Sequence, residues 1–193
     1  MRRGLLIGGL VLAALAIAWG VLSVSKPGWF LRSVYPLSHV AAIRAAAQKN
    51  HLDPALVAAV IYEESRFHDD VSSHQGAIGL MQVMPATAQD IARRTGGTGF
   101  VVTDLTHARV NVLYGCYYLR QLLDHYHGSV TAAVAAYNAG EGNVDAWLST
   151  DGGKLSPQAI PFSETRDYVE QVIKLRTLYR RAYGAQLGPA YGG

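Results

Sequence analysis

Asp53-Pro54-Ala55-Leu56-Val57-Ala58-Ala59-Val60-Ile61-Tyr62-Glu63-Glu64-Ser65-Arg66 is the stretch whose reading decides the fold. An aspartate can accept the free N–H groups that open a helix, and proline suits the first helical position, so the spacing predicts a helix over 53–65. Its residues are almost all Ala, Val, Ile and Leu up to Tyr62, which sets it in a core instead of on a surface. Glu64 follows Val57, Val60 and Ile61 at offsets of seven, four and three and so continues an apolar face inward. A carboxyl placed there loses solvation, stays protonated near neutrality and is able to act as a general acid. Glu63 is only slightly worse placed, and both could instead be solvated last-turn residues pairing with Arg66. Helical phase does not choose between them.

Outward from this helix, apolar residues keep recurring at helical spacing, with little strand-like alternation and no internal repeat. A mainly α domain is expected. A first helix is predicted over about 37–49, and Pro85 opens a short one ending near Gly96, followed by the loop Gly96-Gly97-Thr98-Gly99. A longer helix from about His107 to His127 is stopped by Gly128, and Ser129 caps the next, Val130 to about Ala139. A polar connection over 149–161 leads to a last helix capped by Ser163 and ending near Gly184, with a flexible tail over 185–193.

The chain has 193 residues, 50% hydrophobic and 16% charged, the latter below the roughly 25% usual for soluble proteins. One principal domain, over 37–184, follows. The net charge of +3 comes from Arg2, Arg3 and Lys26, since residues 27–193 hold 14 basic and 14 acidic side chains. That excess lies beside an apolar segment and forms no basic stripe, so nucleic-acid binding is not expected. The single cysteine, Cys116, excludes an internal disulfide and a CxxC metal or redox site. It reads as a small buried hydrophobe.

Gly4 to Ser25 is a run of 22 residues without charge, about 33 Å long as a helix and able to cross a hydrocarbon core of about 30 Å. Residues 1–26 therefore read as a membrane anchor or uncleaved signal, with residues 27–36 as a linker. Arg2 and Arg3 keep the N-terminus cytoplasmic and place the domain outside. The competing expectation is cleavage at the small-x-small pattern Ala16-Ile17-Ala18.

Two further segments carry chemical promise. Ser72-Ser73-His74-Gln75-Gly76-Ala77-Ile78-Gly79-Leu80-Met81-Gln82-Val83-Met84-Pro85 mixes glycines with Met and Gln. Gly76 and Gly79 permit close backbone approach to a ligand, and Gln82 can donate to and accept from hydroxyl or acetamido groups. Ala136-Tyr137-Asn138-Ala139-Gly140 ends a helix on an aromatic and an amide, which suits a sugar ring, although a plain turn and a plain helix end would look alike.

Taken in order, Glu64-Ser65, GAIGLMQVMP from Gly76, AAYNAGEGNV from Ala135 and IPFSETRDYV from Ile160 resemble the soluble-lytic-transglycosylase family of peptidoglycan-cleaving enzymes. The resemblance covers about 40–183. It implies a lysozyme-like, mainly α fold of the goose-lysozyme type, in which the glutamate before serine is the single acid and base, and so picks Glu64 over Glu63. It implies that Ser73 lies near a sugar N-acetyl group and that Gly79, Gln82 and Met84 line the glycan groove. Tyr137 and Asn138 match the family's Tyr-Asn pair, and Glu164 and Tyr168 its late Glu and Tyr, the Tyr reaching toward the catalytic carboxyl.

The implied reaction needs one protein carboxyl where most glycosidases use two. Glu64 protonates the oxygen of the β-1,4 bond between N-acetylmuramic acid and N-acetylglucosamine while the substrate's acetamido group supports the developing charge. As a base it then takes the proton from the muramic C6 hydroxyl, which attacks C1 and closes a 1,6-anhydro ring. The expected partners are peptidoglycan glycan strands and, through residues 4–25, a membrane.

Two other readings stay open. A goose-type muramidase would use water as acceptor, with Asp69, Asp70 or Glu164 as base, and a weakly active glycan-binding protein would serve envelope assembly. No cofactor is expected. His125-x-His127 lacks an HExxH context for a metal, and Gly140-Glu141-Gly142 follows no strand for a dinucleotide. Tyr114, Tyr117 and Tyr118 read as helix packing.

Overall fold

The structure, a computed structural model, describes residues 27–150 and 153–191. The expected membrane segment, residues 4–25, lies outside the described residues. Contacts divide the chain into two units that meet between Pro36 and Leu37.

In the first unit, the stretch expected as a linker carries a short helix, α1, Gly28–Val34. Local contacts support it: the Trp29 and Phe30 rings meet edge to face at 6.1 Å, and the Ser33 hydroxyl donates to the Phe30 carbonyl at 2.8 Å.

The second unit opens with α2, Val40–Lys49, three residues later than expected. His39, at φ 53°, stands in the left-handed region and breaks the backbone just before it. Next comes α3, Pro54–Ser65, with Pro54 in its first turn and the Asp53 side chain accepting from the Ala55 N–H at 2.8 Å, as its sequence dictates. Every residue from Pro54 to Ile61 is buried, consistent with a helix apolar on all sides.

An irregular segment with two isolated bridges, Ser72 to Ile78 and Ile78 to Val83, connects α3 to α4, Pro85–Thr95. A 3-10 turn, Val102–Thr106, leads to α5, Ala108–His125, followed by α6, Val130–Ala139, whose Ser129 cap accepts from the Ala132 N–H.

Immediately after α6 comes α7, Glu141–Thr150, within a stretch whose glycines and serine argue against a helix. Buried Val144 and Trp147 hold it to the core, an override of local propensity by packing. Trp147 also meets Phe162 edge to face at 5.1 Å. A second 3-10 turn, Pro157–Ala159, precedes α8, Ser163–Leu187.

Ser163 does not cap α8 as expected. It is the first helical residue, and Phe162 occupies the cap position without a side-chain bond. The helix also runs past Gly184, because Leu187 is buried, and the Tyr191 N–H donates to the Leu52 carbonyl at 3.2 Å, so part of the expected flexible tail is docked.

Helix α3 packs along α8, with α2 on α5 and α6 between α5 and α8. The start of α3 meets the second half of α8 through Asp53 and Arg176, and its end meets the first half through Glu64 and Tyr168. The pair is therefore antiparallel, and it brings residues over a hundred positions apart to one spot. Among the described residues, no helix is long and apolar enough to cross a membrane.

Candidate active site

The last turn of α3 turns its two glutamates to different surroundings. Glu63 Oε2 pairs at 3.3 Å with Arg66, whose side chain is exposed while that of Glu63 is largely covered. Glu64 instead accepts from the Tyr168 hydroxyl at 2.5 Å. Burial is the largest influence on Glu64 and pushes its pKa from 4.5 up to about 7, against the opposing bond from Tyr168 and with a further push from the Glu63 charge. Burial therefore favours the protonated form of Glu64 far more than in an exposed glutamate, which suits a group that donates and then accepts a proton. Ser65 turns inward, its hydroxyl bonding back to the Ile61 carbonyl at 3.1 Å, and is structural.

Two phenols attend Glu64. Burial, then the Glu64 charge, raises both Tyr168 and Tyr137 well above the ordinary tyrosine value, so both remain neutral donors. Tyr137, at the end of α6, donates to the Met81 carbonyl at 2.8 Å and thereby ties the Tyr-Asn segment to the glycine-containing loop. Its neighbour Asn138 accepts from the Thr165 hydroxyl of α8 at 2.8 Å.

The loop over 72–84 is built on a residue that the sequence reading did not single out. Asn111 is buried in α5 and divides its side chain between this segment and the 3-10 turn that precedes α5. Its Nδ2 donates to the Ile78 carbonyl at 2.7 Å and the Leu105 carbonyl at 2.9 Å, and its Oδ1 accepts from the Met81 N–H at 2.8 Å. Gly79, at φ +74°, must be glycine: a Cβ there would drive into the Asn111 amide and lie 2.9 Å from the Leu105 carbonyl. Gly115 of α5 admits Met81 by the same kind of close approach. An asparagine within an apolar helical face was the available signal.

Other expected site residues fall as follows. Ser73 is half-buried and its hydroxyl accepts from the Ala77 N–H at 3.0 Å, bracing the turn around Gly76. Gln82 is not a free donor: its Nε2 donates to the Val71 and Gly79 carbonyls at 3.1 and 2.8 Å. It stands at φ 45°, a strained conformation for a non-glycine residue. Met84, 40% exposed, precedes α4 and presents an apolar surface. Glu164 is exposed in the first turn of α8. Asp69 and Asp70 are also exposed, Asp69 facing His39 at 3.7 Å. Cys116 is fully buried, and burial raises its thiol far above the ordinary value. Among the described residues, no cluster of three or more His, Cys, Asp or Glu side chains is placed to hold a metal ion.

Known proteins share the sequence and fold of this chain. The soluble lytic murein transglycosylase of Escherichia coli (strain K12) is 30% identical over 159 residues, covering 80% of this chain and 25% of that protein. Membrane-bound lytic murein transglycosylase C of Actinobacillus pleuropneumoniae serotype 5b (strain L20) is 33% identical over 161 residues, covering 71% of this chain and 44% of that protein. Among solved structures, an inactive mutant of the lytic transglycosylase Slt from Pseudomonas aeruginosa superposes with a TM-score of 0.74 at 32% identity, over 84% of this chain and 27% of that one. The 70 kDa soluble lytic transglycosylase of Escherichia coli gives 0.75 at 30%, over 83% and 27%. The chain thus spans about a quarter of the length of the soluble relatives it matches. The profile of the transglycosylase SLT domain matches residues 41–159, and the chain belongs to that family.

Proposed function

We propose that this protein is a peptidoglycan lytic transglycosylase that cleaves the β-1,4 bond between N-acetylmuramic acid and N-acetylglucosamine without water and leaves 1,6-anhydro-muramic ends. The observation that carries the reading is the Glu64–Tyr168 pair, a largely buried carboxyl without a cationic partner, raised toward neutrality by desolvation and hydrogen-bonded by one phenol. Protonated Glu64 donates to the glycosidic oxygen as the bond to C1 breaks, and the substrate acetamido group supports C1. The resulting carboxylate, steadied by the Tyr168 hydroxyl, takes the C6 hydroxyl proton as that oxygen closes on C1. Each turnover returns Glu64 to its acid form.

In this reading Ser73, Gly79, Gln82 Oε1, Met84, Tyr137, Asn138 and Glu164 line the path of the glycan, and Tyr168 serves the carboxyl. No cofactor takes part. The uncharged run over 4–25 anchors the chain in a membrane, with the domain on the cell-wall side, where its polymer substrate lies.

Full-length protein in detergent, incubated with isolated peptidoglycan, should release muropeptides one water lighter than lysozyme products and resistant to borohydride. Mass spectrometry reads both properties. Borohydride-reducible ends alone would move the assignment to a hydrolytic muramidase, and no release from a folded protein to a binding or assembly role.

A further inference from the structure

Among the described residues six large apolar side chains are exposed, and three of them, Trp29, Phe30 and Val34, belong to the seven residues of α1. The other three, Met84, Val101 and Phe162, come from separate segments, as single surface apolars ordinarily do. Trp29 is 66% exposed, Phe30 38% and Val34 44%. At 3.6 residues per turn the three fall within about 140° of the helix circumference, and the Trp29 and Phe30 rings touch edge to face. They make one continuous apolar face.

Nothing within α1 accounts for a helix that shows such a face to water. Its seven residues fall short of the about 12 to 15 that an isolated helix needs. Pro27 stands at its cap position without a side-chain bond, and no acidic residue occupies its first turn. Leu31 is buried, yet its apolar neighbours are left outside. A surface that takes Trp29, Phe30 and Val34 out of water supplies the missing support.

Two features of the chain identify that surface. Gly28 stands three positions beyond Ser25, where the uncharged run ends, so with that run across a bilayer α1 emerges at the level of the headgroups. The first 52 residues hold no Asp or Glu, while Lys26 precedes α1 and Arg32 lies in its last turn. Exposed aromatic rings beside positive charge are the composition of a helix that lies in a membrane interface, with rings at the acyl boundary and cations among phosphates. Resting on the membrane-anchor reading above, we propose that α1 lies in the headgroup layer with its Trp29, Phe30 and Val34 face against the acyl boundary. There it fixes the depth at which the chain leaves the bilayer, as interfacial aromatic anchors do.

Two tryptophans separate the two readings, since Trp19 lies inside the uncharged run and Trp29 in α1. Full-length protein is placed in vesicles of phosphatidylglycerol and phosphatidylethanolamine that carry a nitroxide quencher either near the headgroup or near the end of the acyl chain. Trp19→Phe leaves Trp29 as the reporter, and Trp29→Phe leaves Trp19. Buried Trp147 is a background common to both, measured in the double variant. Trp29 is expected to be quenched about twofold more by the shallow label than by the deep one, as a ring about 5 to 10 Å into the boundary requires. For Trp19 the ratio should move toward the deep label. Adding Phe30→Ser and Val34→Ser to the Trp29 reporter should cut its shallow quenching by about half; no change would show that the apolar face does not seat α1 and would overturn the proposal. Quenching of Trp19 with none of Trp29 would overturn it while the anchor stands, and equal depth ratios would overturn it by making α1 part of the span. Shallow quenching of Trp29 with none of Trp19 would support the interfacial helix and end the anchor, and quenching of neither would bring down both.

Discussion

The two ends of α3 hold two buried or half-buried carboxyls that face the same helix and have opposite chemistry. At the start, Asp53 meets Arg176 at 2.7 Å and also Arg180. Burial alone would raise its pKa, yet the hydrogen bonds from Arg180, Arg176 and the Ala55 N–H outweigh that and hold it below 3.8. At the other end, about 16 Å along the axis, Glu64 meets a phenol in place of two guanidiniums, and burial prevails. The helix pair is common to both ends. What differs is whether α8 brings charge or only a neutral donor, and this separates a clamp that fixes α3 from an acid able to give up its proton.

The strongest way to break this contrast is to remove the proton at the neutral end. Glu64→Gln keeps the shape and should lower turnover at least about a hundredfold, the scale of general acid catalysis, while the circular dichroism spectrum persists. Glu63→Gln, which loses an ion pair with the exposed Arg66, should be mild. The reverse ranking would mean that Glu63 is the acid.

At the charged end the expected effect is on stability. Asp53→Asn keeps the acceptor for Ala55 but leaves Arg176 and Arg180 facing a neutral amide. A cost of about 2 to 3 kcal/mol is expected, reduced from a fully buried case because both arginines are more than a third exposed. Since the folded pKa of Asp53 lies below 3.8, its contribution is present above that value and lost as pH falls through the folded pKa. Denaturation curves of wild type and variant should therefore converge in strong acid. A constant gap down to pH 2 would show that the charge is not what Asp53 supplies.

A smaller effect sharpens the neutral end. Tyr168→Phe removes the bond that favours the Glu64 carboxylate, so the Glu64 pKa should rise further. Turnover should fall on the order of tenfold, the scale of one charge-assisted hydrogen bond, and the alkaline limb of the pH profile should move to higher pH. A shift to lower pH would contradict the direction of that bond.

Some of this was legible in the sequence because it rests on local chemistry. Asp53-Pro54 and the unbroken apolar run announce α3, and Ser129 and Gly128 mark the turn between α5 and α6. The choice between Glu63 and Glu64 was not legible from helical phase, because the deciding partner, Tyr168, stands 104 residues away and only the antiparallel packing brings it in. The family resemblance, not the helical phase, implies Glu64. Gln82 read as a free amide since nothing periodic reveals that the Val71 and Gly79 carbonyls need its N–H groups. α7 was hidden because buried Val144 and Trp147, not propensity, make it a helix.

Carboxyl titration by carbon-13 NMR, with Asp and Glu side chains labelled and Glu64 and Asp53 assigned through the Gln and Asn variants, reads both ends of α3 in one experiment. Glu64 should titrate near the value of about 7 that its burial dictates, and Asp53 should remain ionised to below 3.8. A Glu64 midpoint close to that of an exposed glutamate, 4.5, would mean that the carboxyl is solvated and ionised at rest, and it could not then be the resting acid of the reaction.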